Sequence, residues 1–197
     1  MKFFLAFFFL IVSGILSAQS TLSIRLMTIS AHPCADENLA LHKKIIDKNG
    51  YFTFEPGIIA SYDRFLIKNL TFRASTSIIS DRFNLLSAYS QIMLKLKLFK
   101  YYKHSLYAGI GPSVFYESNK TKIENFVNED RYKLINNTMI KIAWISGMIE
   151  YNYHISKKTD FDLSLNHTHF RSFGISIGGR FVLPDPDGKG CDCPSFR

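Results

Sequence analysis

From residue 172 the chain reads SFGISIGGRFVL. Phe173, Ile175, Ile177, Phe181 and Leu183 occupy one set of alternating positions, and Ser172, Gly174, Ser176, Gly178 and Arg180 occupy the other. A period of two marks a β-strand whose faces meet unlike surroundings. Seven earlier runs share it, at 21–30, 52–62, 70–78, 86–98, 105–116, 143–155 and 161–169. In the fourth, Ile92, Leu94, Leu96 and Leu98 alternate with Gln91, Lys95 and Lys97. In the sixth, Ile145, Ile149, Tyr151 and Tyr153 oppose Ser146, Glu150, Asn152 and His154. The pattern predicts an all-β, eight-stranded antiparallel up-and-down barrel.

The connectors carry a second pattern. Two are long, at 31–50 and 117–137, and five are short. In an up-and-down order both long ones fall at the same end, as in membrane barrels with long outer loops and short inner turns. The short connectors are read at 63–69, 81–84, 100–104, 156–160 and near Phe170 and Arg171. Pro56 and Pro112 interrupt runs. Each adjoins a glycine, Gly57 or Gly111, so a β-bulge is expected to absorb it. The stretch 138–142 alternates poorly.

Which face is wet decides between a soluble and a transmembrane barrel. The polar face is rich in Gly and Ser, which suits a crowded interior. Its charges are of both signs: Arg25, Arg73, Lys95, Lys97 and Arg180 against Glu55, Glu150 and Asp162. Buried charges need such partners, whereas a charge facing mid-bilayer would cost about 2–4 kcal/mol. These residues are therefore expected to form a lumen network, with Tyr89 and Trp144 also inside. Aromatic residues cluster toward run ends, as in interfacial girdles.

The first residues, MKFFLAFFFLIVSGILSAQS, combine Lys2, an apolar stretch and small residues around Ala18. This is the plan of a secretory signal, with cleavage after residue 18 or 20. The organisation expected is a signal at 1–18, a barrel at 21–183 and a periplasmic tail at 184–197. The formal charge is +8, but its cations are scattered. Lys68, Lys100, Lys103, Lys157 and Lys158 sit in short connectors, which fits attraction to lipid headgroups and not a nucleic-acid stripe.

Candidate chemistry is sparse. The first long loop holds His32, Cys34, Asp36, Glu37 and His42, without closed zinc spacing. No metal or cofactor is expected. Cys191 and Cys193 form a tight local disulfide or remain free thiols, and with Cys34 the count is odd.

The signal ending in SAQS, the segment YAGIGPSVFY and the final strand resemble small outer-membrane β-barrel proteins of Gram-negative bacteria. The resemblance implies a recognition pattern for the barrel-assembly machinery in the last strand, filled here by Ser176, Gly178, Phe181 and Leu183. Such barrels often end on that strand, whereas this chain continues for 14 residues, PDPDGKGCDCPSFR. Lipid A deacylases resemble the chain in architecture, and their His-any-Ser-Asn stretch has its nearest counterpart in NHTHFRS. There His167 and His169 are the weak catalytic candidates, but the spacing to Ser172 differs and no acid follows in the final strand. The expected role is structural or surface-interacting, with the interior filled and no open pore. A deacylase-like hydrolase is the alternative and a soluble lipid-binding barrel the third reading. The expected partners are outer-membrane lipid and the assembly machinery, and the sequence names no extracellular ligand.

Overall fold

The computed structural model describes residues 20–32, 38–128, 132–168 and 172–183. The predicted signal and tail, all three cysteines and His169 lie outside the described residues. The strands are β1 (Ser20–Ala31), β2 (Phe52–Ile67), β3 (Leu70–Ser80), β4 (Leu86–Tyr101), β5 (His104–Ser118), β6 (Lys133–Ile135), β7 (Thr138–Ser156), β8 (Thr159–Thr168) and β9 (Ser172–Val182). Eight of them, all but β6, pair antiparallel with their neighbours in chain order. β1 pairs with β9 and β5 with β7, so the sheet closes on itself. Closure leaves no strand edge, which is what a backbone in hydrocarbon requires. β6 pairs only with β7, as a hairpin beyond the cylinder. Its turn, Asn136–Asn137, has φ of 46° and 64°, the left-handed pair that a two-residue hairpin needs.

Alternation divides the surface as the sequence suggests. On β4, Ile92, Leu94 and Leu96 are about half exposed, at 53, 48 and 49 %, while Met93 and Lys95 between them are at 1 and 0 %. On β9, Ile175 and Ile177 face out and Ser176 and Arg180 face in. The barrel therefore wears its aliphatic side chains outside and its charges within. The turns at 68–69, 102–103 and 157–158 share one end with the beginning of β1 and the end of β9. The described parts of the segments 32–51 and 119–137 lie at the other end.

Both prolines stand at bulges. The register between β1 and β2 shifts where Glu55 and Pro56 lie, and that between β5 and β7 shifts at Pro112. The second shift corrects one expectation. Across it, Ala143 and Ser146 both point inward, so Trp144 and Ile145 between them both face out, and Trp144 is 77 % exposed. Simple alternation miscounts by one residue at such a point.

Three short connectors are shorter than expected. β2 continues through Asp63 to Ile67, β4 runs to Tyr101 and β5 begins at His104, and Asp160 already belongs to β8. The poorly alternating 138–142 is strand as well, paired with both β5 and β6.

Candidate functional site

The lumen is layered along its axis. Inward positions near the short-turn end are Tyr107, Asp160 and Arg180. Next come Arg25, Asp63, Arg73, Lys95, Glu150 and Asp162. Beyond them lies an apolar layer, in which Met27, Ile59 and Tyr89 pack together with Ile79 and Phe115 against them. Each position follows from the inward half of a strand's alternation, so eight strands aim their polar side chains at one axis.

Glu150 is the hub of the charged layer. Lys95 Nζ donates to its Oε1 at 2.6 Å, and Arg73 Nη1 to its Oε2. Arg25 Nη1 stands 3.4 Å from Oε2, and Arg180 Nη1 stands 3.9 Å from Oε1. Asn152 Nδ2 donates to Oε1 at 3.0 Å. Asp63 is the second anchor. It accepts a two-pronged contact from the Arg73 guanidinium, with Nη2 to Oδ2 at 2.7 Å, and a bond from Lys95 Nζ at 2.9 Å. Such fork-to-fork geometry fixes orientation as well as charge. Arg25 also donates to Ser61 Oγ at 2.6 Å and Ser164 Oγ at 2.9 Å, and its Nε is 3.9 Å from Asp162. Arg180 binds Asp160 through Nε at 2.9 Å and through Nη2, and His154 Nδ1 meets the same carboxylate at 2.7 Å. The Tyr107 ring lies under both Lys95 and Arg180, at 4.9 and 5.5 Å.

Six of the eight residues read as a lumen network, Arg25, Arg73, Lys95, Glu150, Asp162 and Arg180, thus meet in one cluster. Two stand apart. Lys97 is half-buried at the short-turn end, its amine 5.8 Å from the Tyr107 ring. Glu55 is buried near the opposite end, where its Oε1 is 3.4 Å from His32 Nε2. Asp63 and Asp160 are the members that sequence reasoning missed. Each continues the inward alternation by two residues, from Ser61 and from Asp162, and that was the available signal.

The end opposite the short turns has a cap of its own. Lys120 Nζ bridges Asp81, at 2.8 Å, and Glu117, and stands 4.5 Å over the Phe83 ring. Phe83 in turn takes edge contacts from His42 and Phe126, one from each long connector. Asn38 closes the join: its Nδ2 donates to Val127 O at 2.9 Å, and its Oδ1 accepts from Val127 N at 2.7 Å. The described part of the first long connector is therefore packed and not merely solvated.

The four residues expected to form an assembly signal lie at the β1–β9 seam. Gly178 is opposite Arg25, and a Cβ there would stand 2.0 Å from Ile24 O and 2.6 Å from Arg25 Cα. Ser176 is buried, Phe181 faces outward, and Leu183 N donates to Ser20 O at 2.9 Å. His167 faces outward, its ring 5.0 Å from Phe173 and edge-on to it. No group of three His, Cys, Asp or Glu side chains among the described residues is arranged to hold a metal.

Known structures show the same closed, eight-stranded cylinder. The crystal structure of Neisserial surface protein A superposes with a TM-score of 0.53 at 9 % identity, over 84 % of this chain and 97 % of that one. The fold is that of an eight-stranded transmembrane β-barrel. This barrel is also similar to the N-terminal β-barrel domain of Pseudomonas aeruginosa OprF, with a TM-score of 0.48 at 9 % identity, covering 84 % of this chain and 99 % of that one. Ail of Yersinia pestis, crystallised with the heparin analogue sucrose octasulfate, gives 0.48 at 9 % identity, over 85 and 99 %. No protein-family profile and no curated protein matches the chain.

Proposed function

We propose that this barrel is an exported outer-membrane protein whose lumen is plugged by its own side chains and whose activity lies at its outward loops, in a structural or surface-interaction role. One observation carries the reading. Four cations and four carboxylates from seven strands cross-link the interior, and an apolar layer and a cap stand above them. An eight-stranded barrel is just wide enough for side chains to fill it, which supports an interior without a diffusion path. The outward aliphatic surface supports residence in lipid. Residues 1–18, or 1–20 with the later cleavage point, would serve as the cleaved signal, and the last strand as the segment offered to the barrel-assembly machinery.

The test has two arms. Membranes from expressing cells, washed in carbonate, should retain the protein, and its gel mobility should change on boiling. Reconstituted into planar bilayers, it should give no steady conductance. Recovery in the soluble periplasmic fraction would end the membrane reading, and stepwise channels would end the plugged one.

A further inference from the structure

Charges at the short-turn end are sorted by direction. Each two-residue turn carries lysine: Lys68, Lys103, and the pair Lys157 and Lys158. All four side chains are exposed, and none makes an ion pair among the described residues. The carboxylates of this end point the other way. Asp160 is buried on Arg180 and His154, and Asp63 is buried on Arg73 and Lys95. Every described carboxylate that might neutralise the turns is thus committed inside the barrel. The opposite end also carries many cations, but there at least partly exposed carboxylates, Asp47, Glu117 and Glu124, stand among them.

A ring of interfacial side chains fixes the depth of this collar. Tyr101 and Tyr102 are 66 and 81 % exposed, with ring centroids 4.6 Å apart, immediately before Lys103. Leu66 and Ile67 precede Lys68, and Ile155 precedes Lys157. Exposed aromatic and aliphatic groups followed at once by lysine place the ammonium groups at the headgroup level, with their stems along the apolar boundary.

We propose that Lys68, Lys103, Lys157 and Lys158 form a collar that selects anionic phospholipid, by the net negative charge of a phosphate headgroup that carries no balancing cation, in the membrane leaflet on the short-turn side. The proposal rests on the membrane reading above. Cations near an anionic surface attract it additively, and the attraction is screened by salt. Because the sites are spread around the rim, the collar recruits a shell of lipids and not one bound molecule.

The full chain, in nanodiscs of equal phosphatidylcholine and phosphatidylglycerol with matched acyl chains, is released for native mass spectrometry. Phosphatidylglycerol should be enriched roughly threefold or more among retained lipids, and enrichment should fall toward unity in high salt. The quadruple lysine-to-glutamine variant should lose it. A control changing Lys48, Lys122 and Lys133 to glutamine should keep it. Equal enrichment in the quadruple variant overturns the collar, as does wild-type retention without headgroup preference. Selective capture of the wild type by isolated peptidoglycan, with no lipid preference, would assign the collar to a wall glycan instead. Boiling-dependent mobility in the same nanodiscs separates the two readings: a folded, inserted chain without enrichment refutes the collar alone, whereas a chain that never inserts refutes the membrane reading and the collar with it.

Discussion

Lys95 Nζ lies 2.6 Å from Glu150 Oε1, although 55 residues separate them in the chain. That contact passes over the inner face of β5 from β4 to β7, two strands that do not pair with each other. It is one of four cationic contacts on a single carboxylate.

Glu150→Gln should therefore be the most damaging conservative change in the lumen. It keeps the volume and leaves Arg73, Lys95 and their neighbours with an excess of buried charge. The expected loss is about 3–5 kcal/mol, measured by urea unfolding of the refolded barrel in detergent micelles. Glu55→Gln, whose neighbours are His32, Ser30 and Arg82 and which lies outside the Glu150 cluster, should cost much less.

Arg73→Leu should lower refolding yield far more than Leu94→Val. The first strands Asp63 and Glu150 without their shared guanidinium. The second removes one methylene from a side chain that already faces outward. Equal yields from a micelle refolding series would refute the inward placement of Arg73.

Gly178→Ala should weaken the barrel even where no assembly machinery is present. An added methyl would meet the backbone of Ile24 and Arg25, not a side chain able to turn away. Spontaneous refolding into micelles, followed by boiling-dependent gel mobility, should show a lowered folded fraction. Normal refolding combined with failed insertion in cells would mean that the glycine serves recognition alone.

Phe83→Ala should open the cap without unfolding the barrel. Phe83 sits where Lys120, His42 and Phe126 converge, and its loss should free both long connectors. Limited proteolysis should then cut within 38–51 or 119–128 at least tenfold faster, while the strands stay protected.

Asp47, in the first long connector, titrates below the ordinary aspartate range. The Phe52 amide donates to its Oδ1 at 2.7 Å, and the Asn49 amide to its Oδ2 at 3.2 Å. A depressed carboxyl favours the folded loop above the unfolded pKa, and that contribution is lost as pH falls through the folded one. Protection of the Phe52 amide, its exchange relative to the intrinsic rate at each pH, should consequently fall below about pH 4, and Asp47→Asn should remove that acid dependence.

Strand number, order and inward direction were legible because period-two alternation survives wherever two faces meet different media. Lys95 and Leu94 could be assigned to opposite faces from neighbours alone. The reading failed where local geometry broke the period. The Pro112 bulge turned Trp144 outward, and strands running to two-residue turns absorbed Asp63 and Asp160, which had been read as connector. The pairing of charges was not legible at all. Nothing in the order of the chain says that Glu150 would meet four cations, because that depends on barrel shear and stagger. The cap depends likewise on contacts between connectors 89 residues apart, such as Asn38 with Val127.

Arg25 comes from the first strand and Arg180 from the last, yet both reach Glu150. A half-built cylinder would hold these ions without their counterparts, in a place where stranded charge is ruinous. Partly joined intermediates are thereby penalised until the final seam zips, so insertion and closure are expected to proceed as one all-or-none event.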